Sequence, residues 1–141
     1  MIKKVEVEGL NELVASINSI VSGKQDAIAR GMTTAMLRTH DRLPGYPPEP
    51  PNSTYVRTLE LGRKIYTDVE TIGGDTVGVI GDPVVYAPWV ISDEEIVGGI
   101  GPQAKVHKGR WWILQEEVRK AMPEIASILG DALIDLVTRR R

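Results

Sequence analysis

Residues 64–80, KIYTDVETIGGDTVGVI, predict a β-hairpin. Apolar and polar side chains largely alternate from Lys64 to Ile72, and the run from Thr76 to Ile80 is rich in valine and isoleucine, so both runs favour β-strands. The Gly73-Gly74-Asp75 stretch between them is typical of a turn, because glycine adopts the backbone angles that tight hairpins require. The other predicted elements lie before and after this hairpin in the chain.

A long amphipathic helix is predicted before the hairpin, ending near Arg42. Ser22-Gly23 interrupts its apolar pattern, so the segment forms either one helix or two stacked pieces. A short half-buried strand is predicted before this helix, over residues 2–8, because apolar and charged residues alternate there. The apolar positions recur at steps of three and four, which places them on one helix face: Leu10, Leu13, Val14, Ile17, Ile20, Val21, Ala27, Ile28, Met32, Ala35 and Met36.

The helical period returns at Arg110 and continues towards the C terminus through Trp111, Leu114, Val118, Ile125 and Leu136. A proline at position 123 must begin a new helical segment or kink the existing one, because it lacks a backbone donor. These elements predict an α+β fold in which a small antiparallel sheet with a β-hairpin packs against long N-terminal and C-terminal helices.

Two short segments flank the hairpin. Residues 53–62 are compatible with a single helical turn that Gly62 closes. Residues 84–90, VVYAPWV, form a short apolar piece, and Pro88 excludes a central position in a sheet.

Residues 43–52, LPGYPPEPPN, hold five of the nine prolines of the chain. Proline fixes its backbone and lacks a donor, so the segment can be neither helix nor central strand. A stiff, polyproline-like arm loses little entropy when it is ordered at an interface. We therefore expect Gly45–Pro51 to lie against another subunit or a neighbouring protein, and not to fold back on its own core.

Residues 91–109 hold four glycines and one proline and show no strong periodicity, which predicts a Gly-rich loop or extended arm. Ile96-Val97 within it is a candidate for a brief strand. The arm and this loop are the segments that we expect to reach neighbouring molecules.

Composition excludes several classes of protein. At 141 residues the chain is most simply one domain, 1–141. Its 17 basic and 19 acidic residues leave a net charge of −2, which disfavours a general nucleic-acid binder. The chain has no cysteine, so disulfides and thiolate chemistry are excluded. No apolar run is long enough for a membrane helix, and the first ten residues lack the apolar stretch of a signal peptide.

No catalytic or metal-binding pattern is evident in the sequence. The two histidines, His40 and His107, lack a third ligand at helical spacing, and no known metal motif is present. His40-Asp41 is a possible base and orienter for a small hydrolase, although two surface or interface histidines explain the pattern more simply. No serine lies in a nucleophile elbow. We expect no enzyme activity, no catalytic residues, no metal and no cofactor.

The tryptophans are candidates for interface contacts. Trp111 and Trp112 are adjacent on the predicted last helix, so they point about 100° apart and cannot both face one core stripe. Tryptophan is enriched in interface hot spots. Together with the proline arm, this gives a set of candidate partner-interface residues: Tyr46, Pro47, Pro48, Pro50, Pro51, Trp89, Trp111 and Trp112.

The order of segments resembles that of a phage protein family. A strand runs into Gly9-Leu10-Asn11-Glu12-Leu13 at a helix start, and a Pro-rich lead precedes a Tyr-x-Arg-Thr-x-x-Leu-Gly box at 55–62. The hairpin then precedes Val85-Tyr86-Ala87-Pro88-Trp89-Val90, and an Arg-Trp-Trp stretch opens the last helix. Across nearly its whole length, the chain resembles the tail-completion or head–tail joining proteins of long-tailed bacteriophages, the family that includes the minor tail protein of phage HK97. Members often carry glycine after Arg-Thr, where this chain has Leu59, and an acidic residue with Gly-Thr after the second box, where it has Ile91-Ser92-Asp93.

The resemblance implies a non-enzymatic structural virion protein of the phage neck or upper tail, made in the host cytoplasm. It implies a homo-oligomeric ring, a hexamer or a dodecamer, that joins the head connector or adaptor to the tail terminator or tail tube. It implies no membrane partner and no specific nucleic-acid binding, although DNA could traverse the lumen. The alternative from another class is a small non-enzymatic regulatory binding module that acts as a monomer or dimer.

The charge of the ring wall is a further expectation. A conduit for DNA should not grip the strand, since each fixed cation on a phosphate tightens binding. We expect an acidic or mixed lumen, with the competing arrangement placing the same acids on an outer, solvated face. The candidates are Asp68, Glu70 and Asp75 on the hairpin and Glu94-Glu95 in the loop.

Overall fold

The computed structural model describes residues 10–54, 57–93 and 103–139. In chain order, these residues contain α1 (Leu10–Asp41), α2 (Glu60–Lys64), β1 (Tyr66–Ile72), β2 (Asp75–Gly81), α3 (Ala87–Ile91) and α4 (Leu114–Thr138). The α+β class is confirmed: two long terminal helices accompany one two-stranded antiparallel sheet. The predicted strands at residues 2–8 and at Ile96-Val97 lie outside the described residues, as does most of the predicted Gly-rich loop.

The first helix is one continuous element of 32 residues. Ser22-Gly23 therefore does not divide it, and the single-helix alternative is the correct one. Its second half is buried on one side, where Ala27, Ala35 and Met36 are each less than 6% exposed. The apolar stripe thus forms the core only in this half of α1.

Helices α1 and α4 pack antiparallel. Arg42, at the end of α1, forms an ion pair with Glu124 in the first half of α4, whereas Gly31 lies against Ala132 further along. A Cβ on Gly31 would lie only 3.0 Å from the Cβ of Ala132, so glycine lets the two helices approach closely here. Ala121 and Ile125 of α4 complete this core with Ala35 and Met36 of α1.

The predicted hairpin is confirmed. Strands β1 and β2 pair in antiparallel register from Tyr66↔Gly81 to Ile72↔Asp75. Gly73 and Gly74 have φ values of 60° and 90°, the left-handed backbone that a two-residue hairpin turn needs. The turn lies beside α1, where the Gln25 side chain donates a hydrogen bond to the Gly74 carbonyl at 3.2 Å.

Three local predictions differ from the structure. Gly62 does not close a helical turn; it lies inside α2, which begins after Leu59 and ends at Lys64. Trp111 and Trp112 precede α4 and are not on it, because the Trp111 carbonyl accepts a hydrogen bond from Gln103 before the helix begins. Pro123 lies within continuous α4, so of its two predicted alternatives the start of a new segment is wrong.

Pro88 occupies the first turn of α3, where a missing backbone donor costs nothing. The apolar piece around it is therefore a short helix. Its inner side, Ala87, Val90 and Ile91, is buried in a second core cluster with Leu61 and Val84. This second core lies beside the C-terminal end of α1, where the chain leaves the helix through Leu43 and Tyr46.

Candidate functional site: an aromatic groove and an exposed helix end

Arg57 organises the second core. Its side chain is only 14% exposed. The guanidinium donates hydrogen bonds to the carbonyls of Pro47 and Pro48. It also lies 5.7 Å from the ring centroid of Tyr46 and 5.6 Å from that of Trp111, within the range of cation–π attraction. One buried cation thus links the proline segment to two aromatic rings.

Tyr46 and Trp112 add further links between the same parts. The Tyr46 ring packs edge-on against Trp111 at 5.1 Å. Its hydroxyl accepts a hydrogen bond from the Gly62 amide at 2.8 Å, which satisfies a first-turn donor of α2 that has no partner within the helix. The Trp112 indole donates to the Gly45 carbonyl at 3.3 Å.

The expectation that the proline segment does not fold back on its own core is wrong for Gly45–Pro48. The carbonyls of this part accept hydrogen bonds from Arg57 and Trp112, and Tyr46 packs against the second core. A proline residue has a backbone carbonyl that can accept a hydrogen bond, and the Arg57 guanidinium has several N–H groups that can donate to such carbonyls. The first half of the segment is therefore held against the second core, with Tyr46 packed on it.

Gln103 holds α3 against the segment that precedes α4. The residue is 6% exposed, and its side-chain amide donates to the carbonyls of Val90 at 2.6 Å and Trp111 at 3.3 Å. Next to it, the Ala104 amide donates to the Trp89 carbonyl at 2.8 Å. These bonds fix Trp89 and Trp111 relative to each other.

A cavity of about 390 Å³, the aromatic groove, opens between these elements. Its charged or titratable side chains are Arg57, His107 and Arg110 together with two tyrosines, and the lining residues in the described part of the chain include no carboxylate. Burial, and secondarily the nearby Arg110 charge, lower the pKa of His107, so its imidazole is neutral near pH 7. The apolar and aromatic part of the lining comprises Tyr46, Pro50, Leu59, Leu61, Tyr86, Trp89, Val90, Val106 and Trp111.

Leu59 at the groove has a left-handed backbone, with φ 60° and ψ 14°. This conformation costs a residue with a Cβ about 1–2 kcal/mol. The side chain is 41% exposed, so burial offsets little of that strain. The glycine that members of the tail-completion family often carry after Arg-Thr would adopt this backbone without strain.

The structure brings most of the sequence-predicted interface residues together. Tyr46, Pro50, Trp89 and Trp111 line the aromatic groove. Pro47, Pro48 and Trp112 lie beside it through the hydrogen bonds described above, whereas Pro51 is exposed. Arg57 and Gln103 were missed as organising residues. Arg57 could have been found from the sequence, because it is an arginine in a short box that lies between a Pro-rich segment and aromatic residues.

A second surface lies at the other end of α1. Residues 12–22, the α1 overhang, are all exposed. Gln25 of α1 meets the hairpin turn, and Ala27 shares a surface depression with Leu136 near the end of α4. The helix therefore runs beyond both neighbours by about 20 Å at 1.5 Å per residue. Its apolar stripe remains in solvent: Leu13 is 56% exposed, Val14 48%, Ile17 50%, Ile20 38% and Val21 61%.

His107 lines the aromatic groove, whereas His40 and the described acids singled out from the sequence lie outside that groove. His40 lies 3.4 Å from its neighbour Asp41, whose side chain is 79% exposed. Among the described residues, no group of three or more metal-binding side chains occurs, and no helix is long and apolar enough to cross a membrane. Asp68, Glu70 and Asp75 share the hairpin face that points away from α1, and Glu94-Glu95 lies outside the described residues.

Comparison with known proteins adds no relative. No protein-family model matches the chain, and no characterised protein or solved structure is significantly similar to it. The candidate site therefore has to be interpreted from its own geometry.

Proposed function

We propose that this chain is a structural subunit of a tailed-bacteriophage neck, a tail-completion or head–tail connector protein that forms a ring between the head connector and the tail tube. The assignment to a phage neck rests on the order of its segments, which resembles that of the tail-completion family. The observation that carries the structural role is the α1 overhang, an apolar helix face that the monomer leaves in water.

Exposed apolar patches of this kind mark interaction sites in soluble proteins. The stripe contains five large aliphatic side chains on consecutive turns of one helix, each at least 38% exposed. Full burial of an exposed aliphatic side chain is worth about 1.5–3 kcal/mol, and these side chains, about half exposed, each have roughly half of that to gain. A partner that covers the stripe therefore gains a large part of the free energy that assembly requires.

The aromatic groove supports an assembly role in a second way. Tyr86 and Trp89 remain 38% and 36% exposed at its edge, although the surrounding residues hold them in place. Rigid, half-exposed aromatic residues are typical anchors of protein interfaces. Within this proposal the acidic hairpin face belongs to the lumen or to the outer wall of the ring.

Disruption of the gene in the phage genome that carries it tests this function. The neck proposal expects filled heads and complete tails that fail to join, and complementation by the wild-type chain should restore joined particles. An Ala15→Ser variant, altered on the face of α1 opposite the apolar stripe, controls for complementation level. Infectious particles of normal morphology without this protein would contradict the proposal.

The alternative, a regulatory binding module, draws on the aromatic groove. A cavity of about 390 Å³ with apolar walls and two arginines is large enough for a small anionic ligand. The two functions differ in their dependence on the α1 overhang, which a groove-binding monomer does not need. Particle joining that is unaffected by loss of the gene, together with a small anion that binds in the groove of the monomer, would favour the binding module.

A further inference from the structure

We infer that the α1 overhang of one copy docks its apolar stripe into the aromatic groove of the next copy. The inference deepens the proposed function, on which its ring geometry rests, by naming both halves of the contact between subunits. The occupant of the groove is thus a second copy of this chain, and not a small ligand or an unrelated protein.

The stripe has the spacing of a helix that binds in a groove. Leu13, Ile17 and Ile20 lie at positions i, i+4 and i+7, and Val14 and Val21 extend the same face. Amphipathic helices use this spacing to place anchors into an apolar groove. The aromatic groove offers Leu59, Tyr86, Trp89 and Val106 as exposed or edge-lying partners for such anchors.

The two surfaces lie at opposite ends of the same helix. The overhang is centred near Ile17, and the groove lies beside the chain that leaves α1 after Asp41. At 1.5 Å per residue these points are separated by about 36 Å. Since the helix is continuous, the overhang cannot fold back into the groove of its own copy. Contact between them therefore joins two copies. The ring of the proposed function makes this contact heterologous, and not a reciprocal two-fold pair, because repeated heterologous contacts generate rings.

Charge favours the same pairing. Glu12 is the one ionisable side chain within the overhang sequence at residues 12–22. Arg110 supplies the available positive charge at the groove, since Arg57 is already paired with Glu49 of its own chain at 3.8 Å. Opposite charge across the contact also predicts weaker association at high salt.

Cross-linking of the full chain tests the contact. The chain has no cysteine, so introduced cysteines are the only thiols. One variant combines Ile17→Cys on the stripe with Val106→Cys at the groove, where Val106 is 64% exposed. The matched control replaces Ile17→Cys by Ala15→Cys, on the opposite face of the same helix turn. Both are treated with a bismaleimide cross-linker, and circular dichroism verifies that each variant is folded.

The Ile17/Val106 variant should give a ladder of covalent dimers, trimers and higher species, about tenfold more abundant than in the Ala15/Val106 control. Each single-cysteine variant should stay uncoupled. Dimers from Ile17→Cys alone would show that overhangs pair with each other, and would overturn the inference. Equal yields in test and control, or a chain that forms oligomers without an overhang–groove cross-link, would overturn it as well. Those results leave the neck function standing, because that function is judged by particle joining.

Discussion

The two ends of α1 differ in how far contacts within the chain bury and bond their side chains. At the C-terminal end, Arg57 binds two proline carbonyls and two aromatic rings, and Gln103 binds two more carbonyls from a buried position. At the N-terminal end, residues 12–22 are all exposed, including their apolar side chains. The first end is held by contacts within the chain, whereas the second contributes little to the stability of the monomer.

This difference separates folding from assembly. Substitutions at the C-terminal end should lower the free energy of unfolding of the dilute monomer. Substitutions in the α1 overhang should leave that quantity unchanged and act only on association. The predictions below run from the largest expected loss of stability to the smallest.

Arg57→Ala should cause the largest loss, about 3 kcal/mol in the free energy of unfolding, because it removes charge-assisted hydrogen bonds and two cation–π contacts. Urea denaturation followed by tryptophan fluorescence measures it, since Trp111 lies beside the guanidinium. Arg57→Lys keeps the charge but not the forked geometry and should fall between wild type and alanine. A loss below about 1 kcal/mol would mean that Arg57 does not hold the proline segment.

Gln103→Ala should lower the free energy of unfolding by about 2 kcal/mol, because it leaves the buried Val90 carbonyl without its donor. Gln25→Ala is the matched control. Gln25 also donates to a backbone carbonyl, but at an exposed site, so its loss should be about 0.5 kcal/mol or less. Equal losses at both positions would contradict the role given to burial at Gln103.

Leu59 permits a comparison of two truncations. Leu59→Gly and Leu59→Ala both remove the side chain, but alanine keeps the left-handed strain and glycine relieves it. The glycine variant should therefore be more stable than the alanine variant by about 1 kcal/mol in chemical denaturation. An alanine variant as stable as the glycine variant would show that the left-handed backbone at this position is not strained.

Ile17→Lys should have the smallest effect on the dilute monomer, less than about 0.5 kcal/mol, because the side chain is half exposed and lysine is a good helix former. The thermal midpoint at low protein concentration measures it. A large loss would mean that the overhang is packed within its own chain, and the contrast between the two ends of α1 would fail.

Sequence reasoning succeeded where the signals were local. The hairpin follows from its Gly73-Gly74 turn and flanking strands, and α1 follows from its apolar period. The start of α4 was not predicted correctly. The Trp111 carbonyl accepts a hydrogen bond from the side chain of Gln103, a residue outside the predicted helix. The fold-back of Gly45–Pro48 was also missed. Its partner Arg57 donates hydrogen bonds directly to the carbonyls of Pro47 and Pro48, and contacts to backbone carbonyls leave no periodic pattern in a single sequence.

Native mass spectrometry of the full chain across a range of protein concentrations tests the central claim most directly. The wild type should form a closed oligomer at a multiple of the 15.5 kDa subunit mass. Ile17→Lys should raise the concentration needed for assembly about tenfold, through the lost apolar burial, while Ala15→Lys on the opposite face should assemble as the wild type does. A wild-type chain that stays at the monomer mass at every concentration, or an oligomer that Ile17→Lys leaves intact, would contradict the account.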